Sequence, residues 1–291
     1  MIKIQNMDFN YKQTVVFQNI SLTFEEGNIY GLLGENGVGK TTLLKIISGL
    51  QRPGQGSCTV DGFTSIERQP DMLQELFFMP DAVTLPDDNT PEQYISELGR
   101  FYPTYSHNDF LHLMQEMEVS PTMKFSEMSF GMQKKSLIAC ALSLGTKYVL
   151  LDEPTNGLDI PSKSDFRRIL TQRLGSGKTI IISTHQVKDV ENLIDPIVII
   201  SHTDMLLNAS VAEITQRLFF EYGGEKRADA LYSEMQPGGW MNVVENTTGQ
   251  ESQINIEALF NAVLRNKNIV QEIFATSQAS RGGNHESIIN N

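Results

Sequence analysis

The stretch Gly34-Glu35-Asn36-Gly37-Val38-Gly39-Lys40-Thr41 restricts this chain more than any other. It follows a strand-like run, Asn28-Ile29-Tyr30-Gly31-Leu32-Leu33, and opens a helix-like one, Thr42-Leu43-Leu44-Lys45-Ile46-Ile47-Ser48. Strand, glycine loop and helix in that order form the setting in which such a loop holds phosphate. The glycines let the backbone curl until successive N–H groups point at one anion. The start of the following helix adds unpaired N–H groups and the positive end of its dipole. Asn36, Gly37, Val38, Gly39, Lys40, Thr41 and Thr42 are therefore candidate nucleotide-binding residues. Lys40 is expected to reach the outer phosphates, and the Thr41 hydroxyl to ligate Mg²⁺.

A second element suits the same chemistry. The apolar strand Tyr148-Val149-Leu150-Leu151 ends in Asp152-Glu153. An acid at a strand end beside a phosphate loop can hold the Mg²⁺ shell, the role expected of Asp152. Glu153, one residue on, points elsewhere and can polarise a water aimed at the γ-phosphate. Gly175-Ser176-Gly177-Lys178-Thr179 imitates part of a second phosphate loop. It has Gln172 where the leading glycine belongs, and it leads from helix into strand, the reverse of the required order.

The 291 residues allow one large domain with a small appendage. A net charge of −12 argues against a nucleic-acid partner. No apolar run is long enough to span a bilayer. The isolated Cys58 and Cys140 imply neither a disulfide framework nor a metal motif, and a reducing cytoplasm fits them. Ile2–Phe9 and Thr14–Phe24 read as strands, as do Ser57–Val60 and Leu76–Met79. From about 87 to 144 the spacing predicts helices near Pro91–Tyr102, Asn108–Met117 and Phe130–Leu144. Beyond that, strands at Lys147–Leu151, Thr179–Ser183 and Pro196–Ser201 alternate with helices at Pro161–Leu174 and Gln186–Leu193. Ile- and Val-rich strands of this kind imply a buried parallel sheet. Asn208–Phe220 reads as a last helix, Leu231–Glu245 as short strands broken at Pro237-Gly238-Gly239, and Ile256–Leu264 as an amphipathic helix. The expected class is α/β: a P-loop core with a mostly parallel sheet, an N-terminal antiparallel β subdomain, a helical subdomain and a small C-terminal α/β extension. The expected boundaries are 1–220, 221–273 and a flexible tail at 274–291.

Taken together, these landmarks resemble the ATP-binding cassette (ABC) family over residues 1 to about 210. Asp152-Glu153-Pro154 resembles its Walker B acid, catalytic Glu and Pro. Asn156-Gly157-Leu158-Asp159 is similar to its D-loop, and Ser183-Thr184-His185 to its switch histidine. Met128-Ser129-Phe130-Gly131-Met132-Gln133 stands where its signature sits. The resemblance implies that Tyr11 stacks on adenine. It also implies that His185 contacts the γ-phosphate and holds Glu153 and the water. Ser129 and Gly131 would begin a helix that caps ATP held by the opposite protomer of a head-to-tail dimer.

Two departures stand out. Phe130 replaces the signature's first glycine, with Met128 and Met132 in place of Leu and Gln. Because Ser129 and Gly131 remain, the ring is expected to pack away from the opposite γ-phosphate. Asp81 stands where the family has a Gln touching Mg²⁺, and a carboxylate there can also ligate the metal. The resemblance implies an ATPase that uses ATP and Mg²⁺ to drive a separate membrane-spanning permease. The transport is expected to be export, by a homodimer or heterodimer of cassettes. The chain would be cytoplasmic and peripheral to the inner face of the cell membrane through that partner. The alternatives are a soluble ABC ATPase acting as an ATP-gated clamp, and a regulatory ATP-binding module.

Overall fold

In the computed structural model, which describes residues 1–173 and 177–275, the chain begins with a hairpin. Strands β1 (Ile2–Tyr11) and β2 (Thr14–Phe24) run antiparallel. Ile2 and Ile4 point inward while Lys3 and Gln5 face out, as the period of two requires. The buried strand β3 (Ile29–Leu33) feeds helix α1 (Lys40–Ile47) across the glycine loop. Strands β4 (Gln55–Val60) and β5 (Phe63–Thr64) then join the hairpin in a sheet of order β2-β1-β4-β5. A short helix α2 (Pro70–Gln74) precedes β6 (Leu76–Met79).

The helical segment follows as α3 (Pro91–Leu98), α4 (His107–Glu116) and α5 (Phe130–Ser143). Each start is fixed by a local hydrogen bond. Thr90 and Gln93 form a reciprocal capping box, and the hydroxyls of Ser106 and Ser129 accept from Asp109 N and Met132 N. The helix expected to reach Tyr102 ends at Leu98, and Gly99–Phe101 continues as a 3₁₀ turn. Met114, Met117 and Met128 are buried, as packing residues would be.

Strand β7 (Tyr148–Asp152), helix α6 (Ile160–Gln172) and strands β8 (Thr179–Thr184), β9 (Ile197–Ser201) and β10 (Asp204–Ala209) complete a six-stranded sheet of order β10-β9-β3-β8-β7-β6. β9, β3, β8, β7 and β6 pair in parallel. Every residue of β3, β7 and β8 is buried, which explains their apolar runs, broken only by polar residues at the ends of β7 and β8. Residues of both sheets and of α1 share one core that includes Ile2, Phe17, Phe24, Leu43, Ile46 and Tyr148.

The remainder is α7 (Val211–Arg217), an antiparallel sheet β11-β13-β12 (Leu218–Gly223, Gly239–Glu245 and Tyr232–Gln236), α8 (Ile256–Arg265) and α9 (Lys267–Ala275). Chain contacts divide the protein into two units, Met1–Met205 and Leu206–Asn291.

Three expectations are corrected. Gln186–Leu193 is not a helix but contains one 3₁₀ turn, Val187–Asp189. Arg167 donates to the Asp189 carbonyl at 3.0 Å and Lys163 pairs with the Asp189 carboxylate at 2.7 Å, so tertiary bonds override a weak local propensity. Asn208–Phe220 is helical only over Val211–Arg217, because Ser210 caps that helix and Leu218–Phe220 pairs with Val243–Glu245. The expected boundary at 220/221 would therefore cut through β11, which belongs wholly to the three-stranded sheet. Of the tail expected at 274–291, Phe274 and Ala275 lie in α9, and 276–291 fall outside the described residues, as do Gly175 and Ser176 of the imitation phosphate loop. Among the described residues no helix is long and apolar enough to cross a membrane.

Candidate nucleotide site

Parallel strands β3, β7 and β8 end side by side, with Leu33 opposite Thr184 and Asp152 opposite Ser183. Ligands in open α/β sheets bind beyond such carboxyl ends. The loop from β3 to α1 turns on residues in left-handed backbone. Gly39, with φ of 112°, occupies the N-cap position and supplies no side-chain cap. A Cβ there would lie 2.6 Å from Val16 and 2.7 Å from Phe17, so both conformation and space demand glycine. The first-turn N–H groups of α1 are thus left without a side-chain acceptor, the arrangement that receives an anion.

Lys40 is buried, and its Nζ donates to the Gly34 carbonyl at 2.8 Å and the Glu35 carbonyl at 3.2 Å. Glu153 Oε1 lies 3.7 Å from the same ammonium. Burial pushes the Lys40 pKa below its ordinary value, against the opposing pull of Glu153 and Asp152. Thr41 Oγ1 donates to Asp152 Oδ2 at 2.7 Å, and Ser183 Oγ donates to Asp152 Oδ1. Glu153 has a left-handed φ of 46°, which turns it out of the strand, and its N–H donates to the Ser183 carbonyl at 2.9 Å. Its Oε1 lies 2.8 Å from His185 Nδ1, and the His185 N–H reaches Oε2 at 3.4 Å.

Lys40, Thr41, Glu153 and His185 face a cleft of about 490 Å³, while the buried Asp152 is not in its lining and reaches it through Thr41. The cleft brings together Tyr11, Asn36, Gly37, Gly39, Lys40, Thr41, Thr42, Asp81, Glu153 and His185. Tyr11 is 46% exposed, with its hydroxyl 3.4 Å from Thr42 Oγ1 and its ring edge-on to Phe9 at 4.8 Å. Val38 does not face the cleft. Its side chain is buried in the core, so only its backbone is available to a ligand. Ser129 and Gly131 lie outside the cleft, at the start of α5. Phe130 is 57% exposed, and its ring lies against Gly157: a Cβ on that glycine would stand 2.3 Å from Phe130 Cδ1. The cleft also includes Thr14, Val16 and Asn156, which the sequence reading did not assign to it. Thr14 pairs directly with Tyr11 across the hairpin, so the alternation of β2 could have found Thr14 and Val16 once Tyr11 was chosen.

Among the described residues no group of three or more His, Cys, Asp or Glu side chains converges as a metal cage. Mg²⁺ seldom uses one, and binds through one or two carboxylates together with substrate phosphates and water. The hard oxygens of Thr41 and Asp152, already 2.7 Å apart at the strand end, fit that pattern. Asp81, also in the cleft lining, has its Oδ1 accepting from Lys134 Nζ at 3.1 Å and from Asn156 Nδ2 at 3.3 Å.

Comparison with known proteins gives concordant results. The family model described as ABC transporter matches residues 17–156. The chain is 32% identical over 232 residues to the ABC transporter ATP-binding protein NatA of Bacillus subtilis, covering 77% of this chain and 92% of that one. It is 30% identical over 210 residues to the Nod factor export ATP-binding protein I of Sinorhizobium fredii, covering 69% and 60% of the respective chains. Its fold matches that of MJ0796, a dimeric bacterial ABC transporter cassette, with a TM-score of 0.66 at 22% identity, over 72% of this chain and 99% of that one.

Proposed function

The chain belongs to the ABC transporter family of ATP-binding proteins, and from that premise we propose that it is the ATPase subunit of an exporter, binding MgATP in the cleft at the ends of β3, β7 and β8. The observation that carries this reading is the meeting of two pairs around Lys40. Thr41–Asp152 stands on the side suited to a metal, and Glu153–His185 on the side suited to a water.

The phosphates of ATP take the loop N–H groups and the start of α1, while Lys40 leaves the Gly34 and Glu35 carbonyls for the outer phosphates. Thr41 and Asp152 would hold Mg²⁺, which would supply charge neutralisation on the phosphates. Glu153 accepts the proton of the attacking water as its oxygen bonds to the γ-phosphorus and the bond to the ADP oxygen breaks. His185 holds the Glu153 carboxylate in place, and Tyr11 offers its exposed ring to adenine.

Ser129 and Gly131 stand apart from this cleft, and in this reading they complete the site of a second cassette, another copy or a related chain, in a head-to-tail dimer. The export direction follows the Nod factor exporter's ATP-binding protein among the relatives. A separate membrane-spanning partner would hold the subunit at the inner face of the cell membrane. The unit after residue 205 contributes no residue to the cleft lining and is assigned to regulation or partner contact.

The test is the concentration dependence of hydrolysis by the purified chain. Specific ATPase activity that rises with protein concentration, and requires Mg²⁺, supports the reading. Activity independent of concentration contradicts the shared site, and no ATP binding contradicts the whole.

A further inference from the structure

Lys134 sits in the second turn of α5, and its side chain is only 2% exposed. A buried ammonium requires both hydrogen bonds and a counter-charge. Its Nζ donates to the carbonyl of Asp81 at 2.8 Å and to the carboxylate of the same residue at 3.1 Å. The ring of Phe130 lies 6.0 Å away. The carboxylate extends the connection, because the same Asp81 oxygen accepts from Asn156 Nδ2 at 3.3 Å. Gln186 Nε2 then donates to Asn156 Oδ1 at 3.0 Å, and Gln186 directly follows His185. A continuous polar chain therefore joins the helix that starts at Ser129 to the residue beside the switch histidine, and it crosses the cleft through Asp81 and Asn156.

We propose that Lys134 is a positioning residue for ATP hydrolysis: it holds Asp81 as its counter-ion, and Asp81 in turn fixes Asn156 and the Gln186–His185 corner. Asp81 acts through Lys134 and Asn156, and Mg²⁺ ligation falls to Thr41 and Asp152. The asymmetry of exposure supports the counter-ion role of Asp81. Asp81 is 44% exposed and can be hydrated without its partner, whereas Lys134 cannot. Lys134 therefore depends on Asp81 more than Asp81 depends on Lys134. The proposal rests on the ATPase reading for its catalytic half only; the pairing itself is independent of it.

The experiment is a double-mutant cycle on the full chain with Asp81→Asn, Lys134→Met and the two combined. It is read by calorimetric melting without nucleotide and by hydrolysis across a Mg²⁺ titration. Asp81→Asn removes the counter-charge of the buried ammonium, leaving its bond to the backbone carbonyl, and should lower the melting midpoint of the unit carrying it by roughly 6 °C. Lys134→Met should lower it by less, and the double variant should melt no lower than Lys134→Met alone. If Asp81→Asn does not accumulate as folded protein, recovery in the double variant is the supporting result, and its failure to recover is the contrary one. In hydrolysis, both single variants should reduce kcat, by about tenfold, with the Mg²⁺ concentration for half-maximal rate unchanged. Additive melting losses would overturn the pairing. A raised Mg²⁺ requirement in Asp81→Asn but not in Lys134→Met would overturn the assignment by making Asp81 a metal ligand. Absence of ATP binding by the wild-type chain would defeat the ATPase reading while leaving the melting cycle interpretable.

Discussion

Replacing Gly157 by Ala tests where the Phe130 ring lies. Gly157 has φ of 79°, so an added Cβ costs about 1 kcal/mol from the left-handed backbone alone. That Cβ would also stand 2.3 and 2.4 Å from Phe130 Cδ1 and Cε1, too close for any side-chain contact. Phe130 is 57% exposed, so the ring can swing into solvent and surrender its remaining burial. With roughly 80 Å² of apolar surface at stake, the surrender costs about 2 kcal/mol. The sum, about 3 kcal/mol, corresponds to a fall of roughly 6–12 °C in the melting midpoint of a unit of this size. In a Phe130→Ala background the clash is gone, and the same Gly157→Ala change should cost only the backbone term, roughly 2–4 °C. Differential scanning calorimetry of the four proteins measures both falls. Equal falls in the two backgrounds would refute the contact, and with it the view that the ring packs on the chain's own D-loop.

Other outcomes follow from the same geometry. Lys40→Ala should abolish tight MgATP binding in isothermal calorimetry while the far-UV circular dichroism stays unchanged. Gly39→Ala, where φ is 112° and Val16 and Phe17 crowd the new methyl, should impair both folding and ATP binding, seen as a lower melting midpoint and a weaker affinity. Burial depresses the Lys40 pKa below 10.5, so the unfolded chain holds that proton more tightly than the folded one. Unfolding free energy linked to Lys40 should therefore rise as pH rises from the depressed value toward 10.5, and urea titrations should show Lys40→Met lacking that rise. Deleting residues from Ser210 onward spares every cleft residue and removes the β11–β13–β12 sheet entire, so calorimetry should find MgATP affinity unchanged.

Much of the site was legible because its chemistry is local. The glycine loop, the strand ending in Asp152-Glu153 and the buried Ile-rich strands each carry their own signal within a few residues. Their arrangement at one sheet edge follows from the parallel pairing those strands impose. What the sequence concealed depends on contacts between distant segments. Nothing near Asp81 in the sequence shows that Lys134 sits 3.1 Å from its carboxylate. The Gln186–Leu193 segment read as a helix because the bonds from Lys163 and Arg167 that occupy it come from α6. The expected boundary at 220/221 falls inside β11 because Leu218–Phe220 is apolar in either a helix or a strand, and only its pairing with Val243–Glu245 decides.

The central claim is that Glu153, held by His185 and adjacent to Lys40, is the base for water attack in an otherwise complete ATP site. Single-turnover hydrolysis and ATP affinity measured together on Glu153→Gln test it most directly. Glu153→Gln should bind ATP as tightly as the parent, with hydrolysis slowed on the order of 10²–10⁴-fold. Hydrolysis at the parent rate would contradict it, because another group would then be activating the water.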